Sequence, residues 1–259
     1  MTDANMYVQD PNPQGGLPVV LLHGLGATSS CWGYQVPALV AAGMRPVAPD
    51  LPGFGQSPFT GRRWNVRYVT RQLVETLSAR LDGHKAVVAG ISMGGVFALQ
   101  LAVDYPEMVE SLVLVNTFAC LRPRRWNDLR YLLIRFVKAS LMGAPAQTEM
   151  VAQRLFPGPE QEEMRQIFLS QAAQSDRRVY RAAMRTLALI DLRRSLPTIR
   201  AKTLVVSGAR DNTVGLVVQE ELAERIPGAR RTIISNAGHA VIAEQPDLFN
   251  QALLDFLVE

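Results

Sequence analysis

Short apolar runs rich in valine, leucine and isoleucine recur along the chain at Pro18–Leu22, Arg45–Pro49, Lys85–Ala89, Ser111–Val115, Lys202–Val206 and Arg231–Ile234. Segments with helical periodicity lie between most of them, clearest from Val69 to Leu81 and from Val96 to Tyr105. Near-continuous apolar strands that alternate with helices predict a mostly parallel sheet covered on both faces. The expected architecture is therefore α/β, with all six strands in one central sheet.

The alternation stops between Asn116 and Leu204, where the pattern is helical and holds no good strand. Trp126, Leu129, Leu133, Phe136 and Val137 fit one helical face, and Asn127 or Asp128 supplies a cap at its start. Shorter helices are expected after Thr148, around Met164 to Phe168 and from Val179 to Leu189, with a break at Pro157-Gly158-Pro159. An all-helical insertion after a strand looks like a lid. The chain then divides into a core, residues 1–118 and 198–259, and a helical cap, residues 119–197.

Composition adds exclusions. A chain of 259 residues that is 48% hydrophobic and 19% charged is ordinary for a globular protein, so disorder is not expected. Met1 to Gln14 is polar and lacks the basic and apolar regions of a signal peptide. No apolar run is long enough to span a bilayer, and the expected location is the cytoplasm. Cys31 and Cys120 stand far apart, outside any Cys-x-x-Cys or Cys/His cluster that would hold zinc. With no histidine neighbour evident, both read as reduced, packed and inert.

The net charge of +4 and pI near 9.3 raise the question of nucleic acid. From Ala119 to Pro197 there are 14 basic against 7 acidic residues, a net of +7 that leaves −3 for the rest. All the excess thus sits in the insertion. No basic run is interleaved with aromatics there, and the arginines recur at helical spacing, so a solvated helical face is expected and not a nucleic-acid surface.

Chemistry enters at Gly90-Ile91-Ser92-Met93-Gly94, followed by Gly95, placed directly after one predicted strand and before a helical run. That is the context a Gly-x-Ser-x-Gly nucleophile elbow requires, because a tight turn lifts the serine hydroxyl at the carboxyl edge of the sheet. A serine needs a base to take its proton. Of the three histidines, His84 sits in a turn before a strand, at the far edge. His23 opens His23-Gly24-Leu25-Gly26, a turn suited to presenting a backbone N–H to an oxyanion. His239, in Asn236-Ala237-Gly238-His239 beyond the last strand, is the expected base. Asp211, which follows Lys202–Val206 through Ser207-Gly208-Ala209-Arg210, is the expected acid. Asp50 also ends a strand and is its competitor, although its loop through Ser57 reads as one held by side-chain-to-backbone hydrogen bonds.

Together, His23-Gly24-Leu25-Gly26, Asp50-x-x-Gly53-x-Gly55-x-Ser57, the Ser92 elbow, Gly208-x-x-Asp211-x-x-Val214 and Gly238-His239 resemble, in order, the α/β-hydrolase superfamily. The resemblance implies an oxyanion hole made by the amides of Leu25 and Met93, and it matches the insertion to the family's helical cap. Family members usually begin with a longer antiparallel hairpin, whereas only Ala4–Gln9 precedes the Pro13-Gln14-Gly15-Gly16 turn, so the first strand is expected to be missing or shortened. Haloalkane dehalogenases and epoxide hydrolases need a carboxylate at position 92, and proline iminopeptidases have tryptophan in place of Met93. The chain remains similar to carboxylesterases, enol-lactonases, C–C hydrolases of ring-cleavage products and cofactor-free perhydrolases.

These resemblances imply acyl transfer from a small, partly apolar acyl substrate, with no metal, nucleotide or flavin required. An acyltransferase and a slow-turnover ligand sensor on the same fold are the alternatives. The cap methionines Met142, Met150, Met164 and Met184 suit an apolar chain or simple packing. Arg122, Arg124 and Arg125 are candidates to gather anionic substrates. Asn116 holds a second position from which the family can deliver its acid, so Asn116→Asp is expected to rescue part of the loss in Asp211→Asn.

Overall fold

The computed structural model describes residues 6–61, 63–121 and 143–259. Seven strands form one sheet: β1 (Val8–Gln9), β2 (Pro18–Leu22), β3 (Arg45–Pro49), β4 (Ala86–Ile91), β5 (Val109–Val115), β6 (Lys202–Gly208) and β7 (Arg230–Ile234). Their order is β1-β3-β2-β4-β5-β6-β7. Every pairing is parallel except that of β1, which runs antiparallel to β3 with Val8 opposite Pro49 and Gln9 opposite Ala48. The sheet thus holds the six expected strands and, at its edge, a shortened first strand within Ala4–Gln9. A two-residue edge strand carries no periodicity that a sequence pattern can register.

The helices are α1 (Gln35–Ala41), α2 (Val66–Leu81), α3 (Met93–Asp104), α4 (Gly143–Leu155), α5 (Glu162–Ala173), α6 (Arg177–Leu189), α7 (Leu216–Arg225), α8 (Val241–Glu244) and α9 (Pro246–Val258). Side chains alternate across the sheet. Val20 and Leu22 of β2 join the core under α2 and α3, whereas Val19 and Leu21 join a second core with residues of α1 and α9. Both layers are apolar, and each fully buried leucine or valine contributes about 1.5–3 kcal/mol.

Helix starts follow local chemistry. The Asn65 side chain accepts from the Tyr68 amide at the head of α2, and Asp176 accepts from Arg178 and Val179 at the head of α6. Helix α6 therefore begins two residues before the expected Val179. It buries Val179, Tyr180, Ala183 and Leu187 on one face and leaves Arg177, Arg181 and Arg185 exposed on the other. Helix α3 begins at Met93 and not at Val96, because Ser92 takes the N-cap position and the turn runs directly into the helix.

Between β5 and β6 the described residues hold helices and a single isolated bridge, Cys120 to Asp191. Pro157-Gly158-Pro159 separates α4 from α5, as expected. The helix anticipated from Trp126 to Val137, and with it Arg122, Arg124, Arg125 and Met142, lies outside the described residues. Among the described residues no helix is long and apolar enough to cross a membrane.

Candidate active site

The carboxyl ends of β2, β4, β5, β6 and β7 converge on a cavity of about 760 Å³ whose walls include Leu25, Ser92, Asp211 and His239. Ser92 sits at φ 53° and ψ −115°, a conformation that a non-glycine residue adopts at a cost of roughly 1–3 kcal/mol. Hydrogen bonds offset it. The Ser92 amide donates to the Val115 carbonyl at 2.9 Å, and the Ser92 carbonyl accepts from Thr117 Oγ1 at 2.6 Å and from the Gly95 amide at 3.1 Å. Two glycines let the turn close: a Cβ on Gly90 would lie 2.4 Å from the Gly94 carbonyl carbon, and one on Gly94 would lie 2.0 Å from the Leu22 oxygen.

His239 Nδ1 is 2.8 Å from Asp211 Oδ2. The carboxylate is the acceptor of this bond, so in the neutral imidazole the Nδ1 carries the proton and Nε2 keeps a lone pair. Asp211 is fully committed. Its Oδ1 accepts from the Thr213 and Val214 amides at 2.8 and 2.9 Å, and its Oδ2 also accepts from Gln219 Nε2 at 3.1 Å. The side chain is wholly shielded from solvent. Ser92 and His239 line the same cavity, but no hydrogen bond joins them among the described residues. Such contacts often tighten only when substrate binds.

The competing residues have other partners. Asp50 accepts from the Ser29 amide at 2.7 Å and the Gln56 amide at 2.8 Å, bonds that hold its loop. His23 is fully buried, with Nδ1 donating to the Gly24 carbonyl at 2.8 Å and Nε2 accepting from the Leu51 amide at 2.9 Å. Burial holds its pKa below the ordinary value, against the opposing pull of the Gly24 carbonyl and Asp50. It is a neutral strut between two loops. His84 is exposed at the opposite edge of the sheet, beside Lys85. Cys31 lines the cavity, and burial pushes its thiol pKa up, away from the thiolate form that a nucleophile requires.

The Leu25 and Met93 amides donate to no group among the described residues, and Leu25 faces the cavity. Met93 is fully buried and does not itself line the cavity. The remaining wall is largely apolar, with Val151, Phe156, Met164 and Phe168 from the helical insertion. Of the described methionines in that insertion only Met164 lines the cavity, while Met184 packs on the main core. Tyr34, Ile167 and Val217 carry the apolar surface out to solvent. Arg154 also lines the cavity and donates to the Asn212 carbonyl.

Three residues escaped the sequence reading. Gln219 is fully buried and braces Asp211. Glu244 binds the amides on either side of His239. Asn116, expected to be a vacant acid position, uses its amide fully: Nδ2 donates to the Gly238 and His239 carbonyls at 2.9 and 2.7 Å, and Oδ1 accepts from the Gly208 amide at 2.8 Å. An aspartate there would set a carboxylate against two carbonyl oxygens. The expected rescue therefore has no structural basis. The Gln219 and Asn116 contacts span from 8 to 123 positions along the chain, whereas those of Glu244 span four and six and depend on the fold of its own turn.

A Gly-x-Ser-x-Gly turn at the carboxyl edge of a mostly parallel sheet, with a histidine-carboxylate pair on the wall of the same cavity, is the arrangement of the α/β-hydrolase class of fold. The sequence profile of the alpha/beta hydrolase family matches residues 19–252, and the chain belongs to that family. It is 31% identical to a pimeloyl-[acyl-carrier protein] methyl ester esterase of Aeromonas hydrophila, over 93% of this chain and 96% of that one. The enol-lactonase of Burkholderia xenovorans LB400 superposes with a TM-score of 0.85 at 28% identity, covering 98% of this chain and 96% of the other. A bromoperoxidase from Bacillus anthracis gives a TM-score of 0.87 at 25% identity, with coverages of 98% and 95%.

Proposed function

We propose that this chain is a serine hydrolase that cleaves a carboxylic ester, lactone or related acyl substrate, with Ser92 as nucleophile, His239 as base and Asp211 as the acid that orients it. The observation that carries the reading is the 2.8 Å bond between His239 and the shielded Asp211 carboxylate, on the wall of the cavity that Ser92 enters from its elbow.

In the first step Ser92 Oγ attacks the carbonyl carbon while its proton passes to His239 Nε2. The charge that develops on the carbonyl oxygen is met by the Leu25 and Met93 amides. Collapse breaks the bond to the leaving group, which takes the proton from His239, and water releases the acyl-enzyme by the same route. Asp211 stays ionised and stabilises the imidazolium. We read residues 119–197 as a cap to a core of residues 1–118 and 198–259, and the apolar wall that Val151, Phe156, Met164 and Phe168 give the cavity suits a substrate with an apolar chain. An esterase and an enol-lactonase among the similar proteins support this chemistry.

The test is Ser92→Ala, which removes the nucleophile without burying a new polar group. It is expected to abolish hydrolysis of p-nitrophenyl esters and labelling by an active-site phosphonate, with the melting temperature retained. Labelling on Cys31 or Cys120, or appreciable activity in the variant, would refute the assignment.

A further inference from the structure

The backbone around His239 is held by two side chains that do not line the cavity. Asn116 binds the Gly238 and His239 carbonyls from one side. From the other, the Glu244 carboxylate accepts from the Gly238 amide with Oε2 at 2.8 Å and from the Ala240 amide with Oε1 at 2.9 Å. Its two oxygens therefore straddle the histidine. Glu244 sits at the end of the single turn α8 and folds back over it to reach both amides.

The same carboxylate has a third partner. Gln161 Nε2 donates to Glu244 Oε2 at 3.2 Å, while Gln161 Oε1 accepts from the Gly158 amide at 2.9 Å. Gln161 belongs to the turn that joins α4 to α5, and both helices line the cavity. A continuous chain of hydrogen bonds thus runs from the helical insertion, through Glu244, to the peptide units on both sides of His239.

We infer that Glu244 is a positioning residue for the base and the point at which the helical insertion is tied to the histidine loop. The inference rests on the assignment of His239 as base proposed above. Charge-assisted bonds to two amides restrain the rotation of both peptide units, and with it the direction of the Cα–Cβ bond that carries the imidazole. Asp211 sets the angle of the ring, and Glu244 sets where the ring is hung. A shift of about 1 Å in a reacting group can cost 10²-fold in rate, so the loss of this restraint falls on turnover and not on substrate binding.

The experiment compares Glu244→Ala, Glu244→Gln, Gln161→Ala and His239→Ala as full-length proteins, with kcat expressed per active site titrated to completion by a phosphonate. Glu244→Ala is expected to lose about 10²-fold in kcat per titrated site with KM within about twofold. Glu244→Gln keeps one acceptor oxygen, so a loss of about tenfold is expected, and Gln161→Ala, which leaves both amide bonds intact, should lose no more than about threefold.

A purely structural role would reduce the number of titratable sites and leave kcat per site unchanged, which would overturn the inference. So would a rise in KM at constant kcat, or a Gln161→Ala loss equal to that of Glu244→Ala. Should Glu244→Ala not fold, the nearly isosteric Glu244→Gln carries the test, and a wild-type kcat there would refute it. His239→Ala separates the two readings. If it remains active the base assignment itself falls, whereas an inactive His239→Ala beside a fully active Glu244→Ala overturns only the role of Glu244.

Discussion

Replacing Asp211 by asparagine changes one atom and leaves the volume unchanged, so its effect can be worked from the hydrogen bonds. The amide oxygen can keep the Thr213 and Val214 amides that Oδ1 holds at 2.8 and 2.9 Å. The new NH₂ group then faces His239 Nδ1 and Gln219 Nε2, both donors to the present Oδ2. Two donors cannot share a hydrogen bond. The imidazole relieves the conflict by moving its proton to Nε2, and a ring protonated there cannot accept the Ser92 proton. The comparable change in a serine protease costs roughly 10⁴ in kcat, about 5.5 kcal/mol at 1.36 kcal/mol per decade. A similar loss is expected here, with KM for a p-nitrophenyl ester little changed and the fold intact by near-UV circular dichroism. Near-normal turnover would show that another residue orients His239. Adding Asn116→Asp is expected to restore nothing, because the Asn116 amide donates to two carbonyls in the histidine loop. A tenfold recovery would refute that reasoning.

Two further outcomes follow from burial. His23 is held neutral, with its folded pKa below the ordinary 6.5, so the unfolded chain binds the extra proton first as pH falls. Its contribution to stability is full above pH 6.5 and is lost as pH falls from there toward the lower folded value, by up to about 1.4 kcal/mol per pH unit. Urea titrations from pH 7 to pH 5 measure the slope, and a flat profile would mean that His23 titrates normally in the folded state. Gly94→Ala would place a Cβ 2.0 Å from the Leu22 carbonyl oxygen, a backbone atom that cannot rotate away. A loss of at least ~3 kcal/mol is expected from the chemical denaturation midpoint, at the upper end of overpacking costs, and a change under ~0.5 kcal/mol would contradict the close approach.

The alternation of strands and helices was legible in the residues alone, since buried parallel strands must be apolar throughout and their covering helices must repeat at 3.6 residues. The residues also marked the turn at Ser92, because two flanking glycines between a strand and a helix are a local signal of close packing. His239 and Asp211 could be chosen from the sequence since each follows a predicted strand, and topology carries the ends of parallel strands to one edge. Which carboxylate meets the histidine was a matter of distance in space. Asp50 and Asp211 both end strands, and only the folded chain shows Asp50 bound to the Ser29 and Gln56 amides and Asp211 to His239.

The same limit hid the roles of Gln219, Glu244 and Asn116. The partners of Asn116 are backbone groups 92 to 123 positions away, and Gln219 meets a carboxylate eight positions before it, while Glu244 reaches amides only four and six positions away once its own turn has folded. A side chain's hydrogen-bond partners are decided when the sheet edge assembles, and until then an asparagine after a strand cannot be told from an unused position.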